Sequence, residues 1–199
     1  MYVIRESQGK GRSVIATQQL SKGQVIIKEA PFLVAEDVYD AIYQMYCCDE
    51  GEGEGEGATA FECLVPHTID KYMVQYKDIC NEIATLPVYI RDTLLQMRPK
   101  RLRLLVAKFC RNAFHYTHPG APPCALLAKG TLLNHSCDNN VDFTVDKNGD
   151  YLFTANRDIE AGEELCDSYL QTNTSKKKRL SALEFQYGFV CGCTKCVLK

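Results

Sequence analysis

The chain has 199 residues, 46% of them hydrophobic, and a formal net charge of −2. That length suits one domain or one domain with an appended lobe, with enough apolar residues for a sizeable core. The near-neutral charge makes no demand for a nucleic-acid partner, so no direct nucleic-acid binding is expected, and no apolar run is long enough to span a bilayer. Eleven cysteines are many. Their odd number, and the lack of a signal peptide at the start, predict a reducing compartment in which thiols are kept for metal rather than for disulfides.

In chain order, residues 1–36 read as strand-rich. Tyr2-Val3-Ile4 is apolar, Ser13 to Thr17 is β-branched, and Gln24 to Lys28 follows the turn signal Ser21-Lys22-Gly23. Gly51 to Gly57 alternates glycine with glutamate, has nothing to bury and predicts a flexible loop, as a spacer or an acidic binding strip. Ile69–Ile83 and Val88–Phe109 carry apolar residues at helical spacing, punctuated by Pro87 and Pro99. The basic Lys100-Arg101-Leu102-Arg103 reads as a solvated helix face, and residues 119–123 as a rigid proline-rich loop. Val141–Val145 and Tyr151–Ala155 flank the turn Asp146-Lys147-Asn148-Gly149-Asp150 and predict a hairpin. Ile159–Leu165 predicts a further turn and strand, and Lys176–Tyr187 a short amphipathic helix. The run Lys176-Lys177-Lys178-Arg179 reads as a basic helix start, with a nuclear signal as the alternative; nuclear or cytoplasmic placement is expected.

Cys191, Cys193 and Cys196 form a C-x-C-x-x-C cluster, and Cys137 lies upstream in Asn134-His135-Ser136-Cys137. Together they offer one zinc ion four thiolates, the usual structural coordination. Such a clamp would close the end of the chain onto the Asn-His-Ser segment. Buried free cysteines are the alternative.

Four motifs occur in a fixed order: Gly9-Lys10-Gly11-Arg12, Asn134-His135-Ser136-Cys137, Gly162-Glu163-Glu164-Leu165 with Ser168-Tyr169, and Tyr187-Gly188-Phe189 before the cysteines. In that order they resemble a SET domain with its cysteine-rich post-SET tail, and in detail the SET-and-MYND type of protein lysine methyltransferase. Cys47, Cys48, Cys63, Cys80 and His67 lack the paired spacings of a MYND zinc finger, so no such finger is recognisable. The family's Asp-Pro-Asn after the cysteine is here Asp138-Asn139-Asn140.

The resemblance implies an α+β, mostly β SET fold of short strands with a helical insert and a zinc-binding tail. It divides the chain into an N-terminal SET part (1–36), the Gly-Glu loop and helical insert (37–110), the C-terminal catalytic part (111–186) and the post-SET segment (187–199). It implies transfer of a methyl group from S-adenosylmethionine to a lysine amine of a protein, a histone tail or a non-histone substrate. A catalytically silent SET fold that binds protein partners, and a plain zinc-binding interaction module, are the alternatives. Lys10, Gly11, Arg12, Asn134, His135 and Phe189 would hold the donor. Tyr169 would be catalytic, and Asn112, Phe114, Tyr169 and Tyr187 would line the lysine channel. Cys137, Cys191, Cys193 and Cys196 would hold the zinc. Cys166, close to Tyr169, reads as a small buried filler rather than a catalytic thiol.

Overall fold

The computed structural model describes residues 1–7, 11–46, 60–61, 63–71 and 73–197. The Gly-Glu repeat, Cys47, Cys48 and Lys10 lie outside the described residues. The chain forms two compact units, one from residues 1–30 with 128–199 and one from residues 31–127.

The first unit opens with β1 (Tyr2–Ser7) and β2 (Gly11–Ala16), antiparallel with Tyr2 opposite Ala16 and Ser7 opposite Gly11. Gly11 enters β2 at φ +77°, a left-handed conformation that favours glycine. β3 (Val25–Glu29) follows.

The second unit contains β4 (Leu33–Ala35), α1 (Val38–Tyr46), α2 (Tyr76–Ile83), α3 (Val88–Leu95), α4 (Pro99–Asn112), β5 (Phe114–His115) and β6 (Cys124–Leu126). Its strands pair antiparallel in the order β4-β6-β5. Asp37 starts α1 by accepting the amides of Tyr39 and Asp40 at 2.7 and 2.9 Å. Pro87 precedes α3 and Pro99 is the first residue of α4, as their fixed φ and missing N–H favour. Ile42, Phe61, Ile79, Ile83, Leu94 and Leu102 fill the core of this unit.

The helix expected from Ile69 begins only at Tyr76, because Gln75 is extended (φ −74°, ψ 145°). Tertiary contacts claim the preceding segment instead. Arg103 Nε donates to the Val74 carbonyl at 2.9 Å, and Arg111 pairs with the Asp70 carboxylate at 2.7 Å.

Back in the first unit come a 3₁₀ turn (Gly130–Leu132), β7 (Asn134–His135), β8 (Val141–Val145), β9 (Tyr151–Ala155), β10 (Cys166–Asp167), α5 (Lys176–Tyr187) and α6 (Thr194–Val197). The expected hairpin is β8-β9, and β3 pairs on its other side to give the order β3-β9-β8. Asp146 Oδ1 accepts the amides of Asn148 and Asp150, and Gly149 takes φ +88°. Tyr151, Phe153, Val141 and Ile27 form the buried face of this sheet. Ile159–Leu165 is not a strand. Its backbone bonds are single bridges and turns, with Leu20 to Ile159 at 2.9 Å and Leu165 to Val14 at 2.8 Å. The Gly162 turn at φ +89° interrupts any ladder. No helix among the described residues is long and apolar enough to cross a membrane.

Candidate active site

The site is built on a parallel pair, β7 beside β10, with Asn134 opposite Cys166 and His135 opposite Asp167. Two residues are too short a ladder to hold by themselves, and buried amides lock them. Asn140 is 3% exposed. Its Nδ2 donates to Glu163 Oε1 at 3.0 Å and to the Glu164 carbonyl at 2.8 Å, and its Oδ1 accepts the Cys166 amide at 2.8 Å. Asn134 Nδ2 reaches the Arg12 carbonyl at 2.5 Å and Glu164 Oε1 at 2.9 Å. Arg12 in turn donates from a terminal nitrogen to the Thr131 carbonyl at 2.9 Å. The start of β2, the Asn-His strand and the Glu-Glu-Leu segment, far apart in sequence, are thus tied at one place.

Four aromatic rings follow from this frame. His135 lies 5.3 Å from Tyr169 and 6.0 Å from Phe189, and Tyr187 lies 4.9 Å from Tyr169, centroid to centroid. The Tyr169 amide donates to His135 Nδ1 at 3.0 Å, and the Tyr169 hydroxyl donates to the Leu133 carbonyl at 2.7 Å. Burial, helped by the Arg179 charge, lowers His135 to about 4, so the ring is neutral near pH 7. With Nδ1 accepting, its proton sits on Nε2, 3.2 Å from Cys137 Sγ. Burial first, then the Asp167 charge, raises the Tyr169 phenol, which stays protonated. Having donated to Leu133, that hydroxyl presents lone pairs to an incoming group.

The sequence places its cysteines together. The Sγ atoms of Cys137, Cys191, Cys193 and Cys196 lie within 4.8 Å of one another, and Cys137 is 3.5 Å from Cys196. Tetrahedral coordination at the zinc–sulfur distance sets neighbouring sulfurs about 3.8 Å apart. The donor set therefore fits a metal ion. Local signals bring the tail here. Ser175 caps α5, and Gly188 ends it at φ +79°, turning the chain toward Cys191. Thr194 Oγ1 then donates to Asp138 Oδ2 at 2.7 Å. Burial raises the Cys137 thiol to about 12 despite the opposing pull of Arg179. Burial also acts to raise Cys193, but hydrogen bonding from the neighbouring cysteines outweighs it and brings that thiol down to about 7.

A cavity of about 500 Å³ opens between the tail and the frame, lined among others by Asn134, His135, Glu163, Tyr169, Phe189 and Val190. Its volume suits a small-molecule ligand. On its wall, the Arg157 guanidinium grips both oxygens of Glu163. Cys166 is buried beside Tyr169 and lines the same cavity.

Four contributors carry no assigned role in the sequence reasoning: Asn140, Arg157, Asp167 and Arg179. Asn140 keeps the last residue of the family's Asp-Pro-Asn, next to the departure at Asn139. Arg157 and Asp167 have no local signal. Arg179 is masked by the lysines before it. Asn112 and Phe114 belong to the second unit. There the Asn112 side chain donates to the carbonyls of Val65 and Lys108 at 2.6 and 2.7 Å, and Phe114 starts β5.

The SET domain family profile matches residues 11–170. A SET domain-containing protein, L678, of Acanthamoeba polyphaga mimivirus is 28% identical over 94% of this chain and 74% of its own length. The histone-lysine N-methyltransferase SMYD3 of Homo sapiens is 45% identical, over 33% of this chain and 15% of its own length. Among solved structures, Rubisco LSMT bound to AdoMet superposes with a TM-score of 0.62 at 12% identity, over 96% of this chain and 52% of that one. The SET domain of LSMT bound to methyl-lysine and AdoHcy gives 0.59 at 14% identity, with the same coverage. The chain thus spans about half the length of those solved chains and a small part of SMYD3. The likeness to the solved structures is one of fold, an α+β arrangement of short strands and helices. Matched over most of its length, the chain belongs to the SET domain family.

Proposed function

We propose that this chain is an S-adenosylmethionine-dependent protein lysine N-methyltransferase whose four-cysteine cluster holds zinc. One observation carries the reading: Asn134, His135, Tyr169 and Phe189 converge on a single cavity of about 500 Å³, closed on one side by the cysteine tail. The Gly11 turn, Arg12, Asn134, the His135 backbone and Phe189 hold the donor. Lys10 joins them by resemblance. Zinc supplies a structural clamp that holds Cys191 to Cys196 against Cys137, and with it Phe189 and Val190 at the cavity wall.

Transfer joins the lysine nitrogen to the methyl carbon as the carbon–sulfur bond of the donor breaks. The amine must be neutral, although free lysine titrates near 10.4. A dry channel and the donor's positive sulfonium both disfavour the ammonium, so its proton leaves to water without a strong base. Tyr169 orients the reacting groups. Its hydroxyl oxygen, fixed by Leu133, accepts from the amine or the polarised methyl group, while Tyr187 packs against the ring. An exposed protein lysine, on a histone tail or elsewhere, is the substrate class.

Calorimetry with S-adenosylmethionine, followed by a lysine-peptide array read by mass spectrometry, tests the reading. Donor binding with a gain of about 14 Da on lysine, the mass of one added CH2 with the charge kept, is the expected result. Binding without transfer to any peptide would instead favour the silent partner-binding fold, and no binding at all would sink both the donor site and the enzyme.

A further inference from the structure

Lys176, Lys177 and Lys178 are exposed at the start of α5, as a solvated basic face requires. Arg179, next in the run, is not: it is 5% exposed. One terminal nitrogen donates to the Thr174 carbonyl at 2.5 Å, and the other lies 3.8 Å from Cys196 Sγ. Its Nε is buried with no hydrogen-bond partner, and no carboxylate pairs with the guanidinium among the described residues. A buried arginine without a carboxylate needs another anion. Among the described residues, the anion that the geometry offers is sulfur.

We propose that Arg179 is the built-in counter-cation of the cysteine cluster, lying outside the coordination sphere and setting how tightly the site holds its metal. This rests on the zinc reading above. Four thiolates around a divalent ion leave a net charge of −2. Cys137, Cys191 and Cys196 are buried, so water cannot screen that charge. His135 faces Cys137 as well, but its Nδ1 accepts the Tyr169 amide, so the ring carries its single proton on Nε2 and adds a donor without a charge. Lys195 of the tail points elsewhere, to the Thr172 carbonyl at 3.3 Å. Among the described residues, that leaves Arg179 as the cation that meets the sulfurs from the protein side. Guanidinium suits the place because it is weakly hydrated and stays charged when buried. The fixed position on α5 also explains why a helix precedes the cysteines: its first turn delivers the cation and its last residues deliver the chain to Cys191.

The test uses the full chain loaded with zinc, with affinity measured by competition against a chromogenic chelator. Arg179→Met removes charge and donors, Arg179→Gln keeps donors without charge, and Arg179→Lys keeps charge. Partners outside the coordination shell are worth roughly 10–100-fold in metal affinity. Met and Gln variants are expected to bind zinc at least ~10-fold more weakly, and Lys within about 3-fold of the parent. In the cobalt-loaded chain, the thiolate-to-metal absorption band should shift in Met and Gln and stay near the parent in Lys. If Met does not fold, the Gln and Lys pair carries the same comparison. Met and Gln variants that match the parent, or a Lys variant as weak as Met, would overturn the counter-cation role while leaving the zinc site intact. A parent chain that takes up no zinc would overturn the zinc reading, and this proposal with it.

Discussion

Replacing Asn140 with alanine should loosen the frame of the site without touching any residue proposed to act on substrate. The side chain makes three hydrogen bonds of 2.8 to 3.0 Å, and at 3% exposure water cannot replace them. At about 1 kcal/mol for each bond, and with the Cys166 amide left buried, the loss should be roughly 3 kcal/mol. Urea unfolding of the metal-loaded chain, followed by far-ultraviolet circular dichroism, measures the total. Hydrogen exchange at the Cys166 amide localises it, since that amide loses its acceptor and should exchange far faster. Asn140→Asp should be worse than alanine at neutral pH. It sets a carboxylate against the Glu163 carboxylate and the Glu164 carbonyl, both acceptors, where an amide had donated. Acidification should recover part of that loss. An alanine variant that loses less than about 1 kcal/mol and keeps its Cys166 amide protected would refute the reasoning.

Tyr169→Phe should keep the fold and most donor affinity but slow methyl transfer at least ~10-fold, roughly 1.4 kcal/mol of barrier; near-normal turnover on the same peptide would remove Tyr169 from the catalytic role. Asp167 is 2% exposed, and burial, partly opposed by its backbone and aided by the Asp142 charge, raises its carboxyl to about 8. Folding therefore takes up a proton, so this group's contribution is complete below the ordinary carboxylate range and is lost as pH rises toward about 8, by at most about 1.4 kcal/mol per pH unit. Asp167→Asn should flatten the fall in stability between pH 5 and about 8; parallel stability curves for variant and parent would count against it. Cys193→Ser with Cys196→Ser should release the metal and loosen the tail, because site and local fold are coupled; metal analysis showing full zinc retention would dismiss the cluster as the ligand set.

What could be read from the sequence was what local chemistry fixes. The β8-β9 hairpin is specified by its Asp-Lys-Asn-Gly-Asp turn, α5 by its pattern over Lys176–Tyr187, and the metal cluster by ligand spacing. Expectations failed where tertiary contacts outbid local pattern. Residues before Tyr76 have helical spacing, but Arg103 and Arg111 of α4 hold the Val74 carbonyl and the Asp70 carboxylate. Ile159–Leu165 reads as a turn and strand, yet its partners on β2 and Leu20 meet it at isolated points. The roles of Asn140 and Arg179 stayed hidden for another reason. Burial of an amide or a guanidinium depends on what surrounds it, and neither residue type announces burial by itself.

The interruption of the first unit by residues 31–127 has a consequence for how the chain finds its fold. Unaided, bringing Ala30 and Ala128 together closes a loop of roughly a hundred residues. The inserted unit begins and ends on paired strands: Leu33 lies opposite Leu126, and the Phe32 amide donates to the Leu126 carbonyl at 3.1 Å. Once folded, it hands the two halves of the interrupted unit to each other across a gap of a few residues. Closure cost falls by about 0.6 kcal/mol for each halving of the loop, so four halvings are worth about 2.5 kcal/mol. The order of assembly follows: helices and their short sheet first, then the strands that build the catalytic frame. A core substitution such as Leu102→Ala should therefore slow formation of the frame while barely changing the rate at which it comes apart, and stopped-flow refolding beside unfolding kinetics would show the opposite if the frame closes on its own.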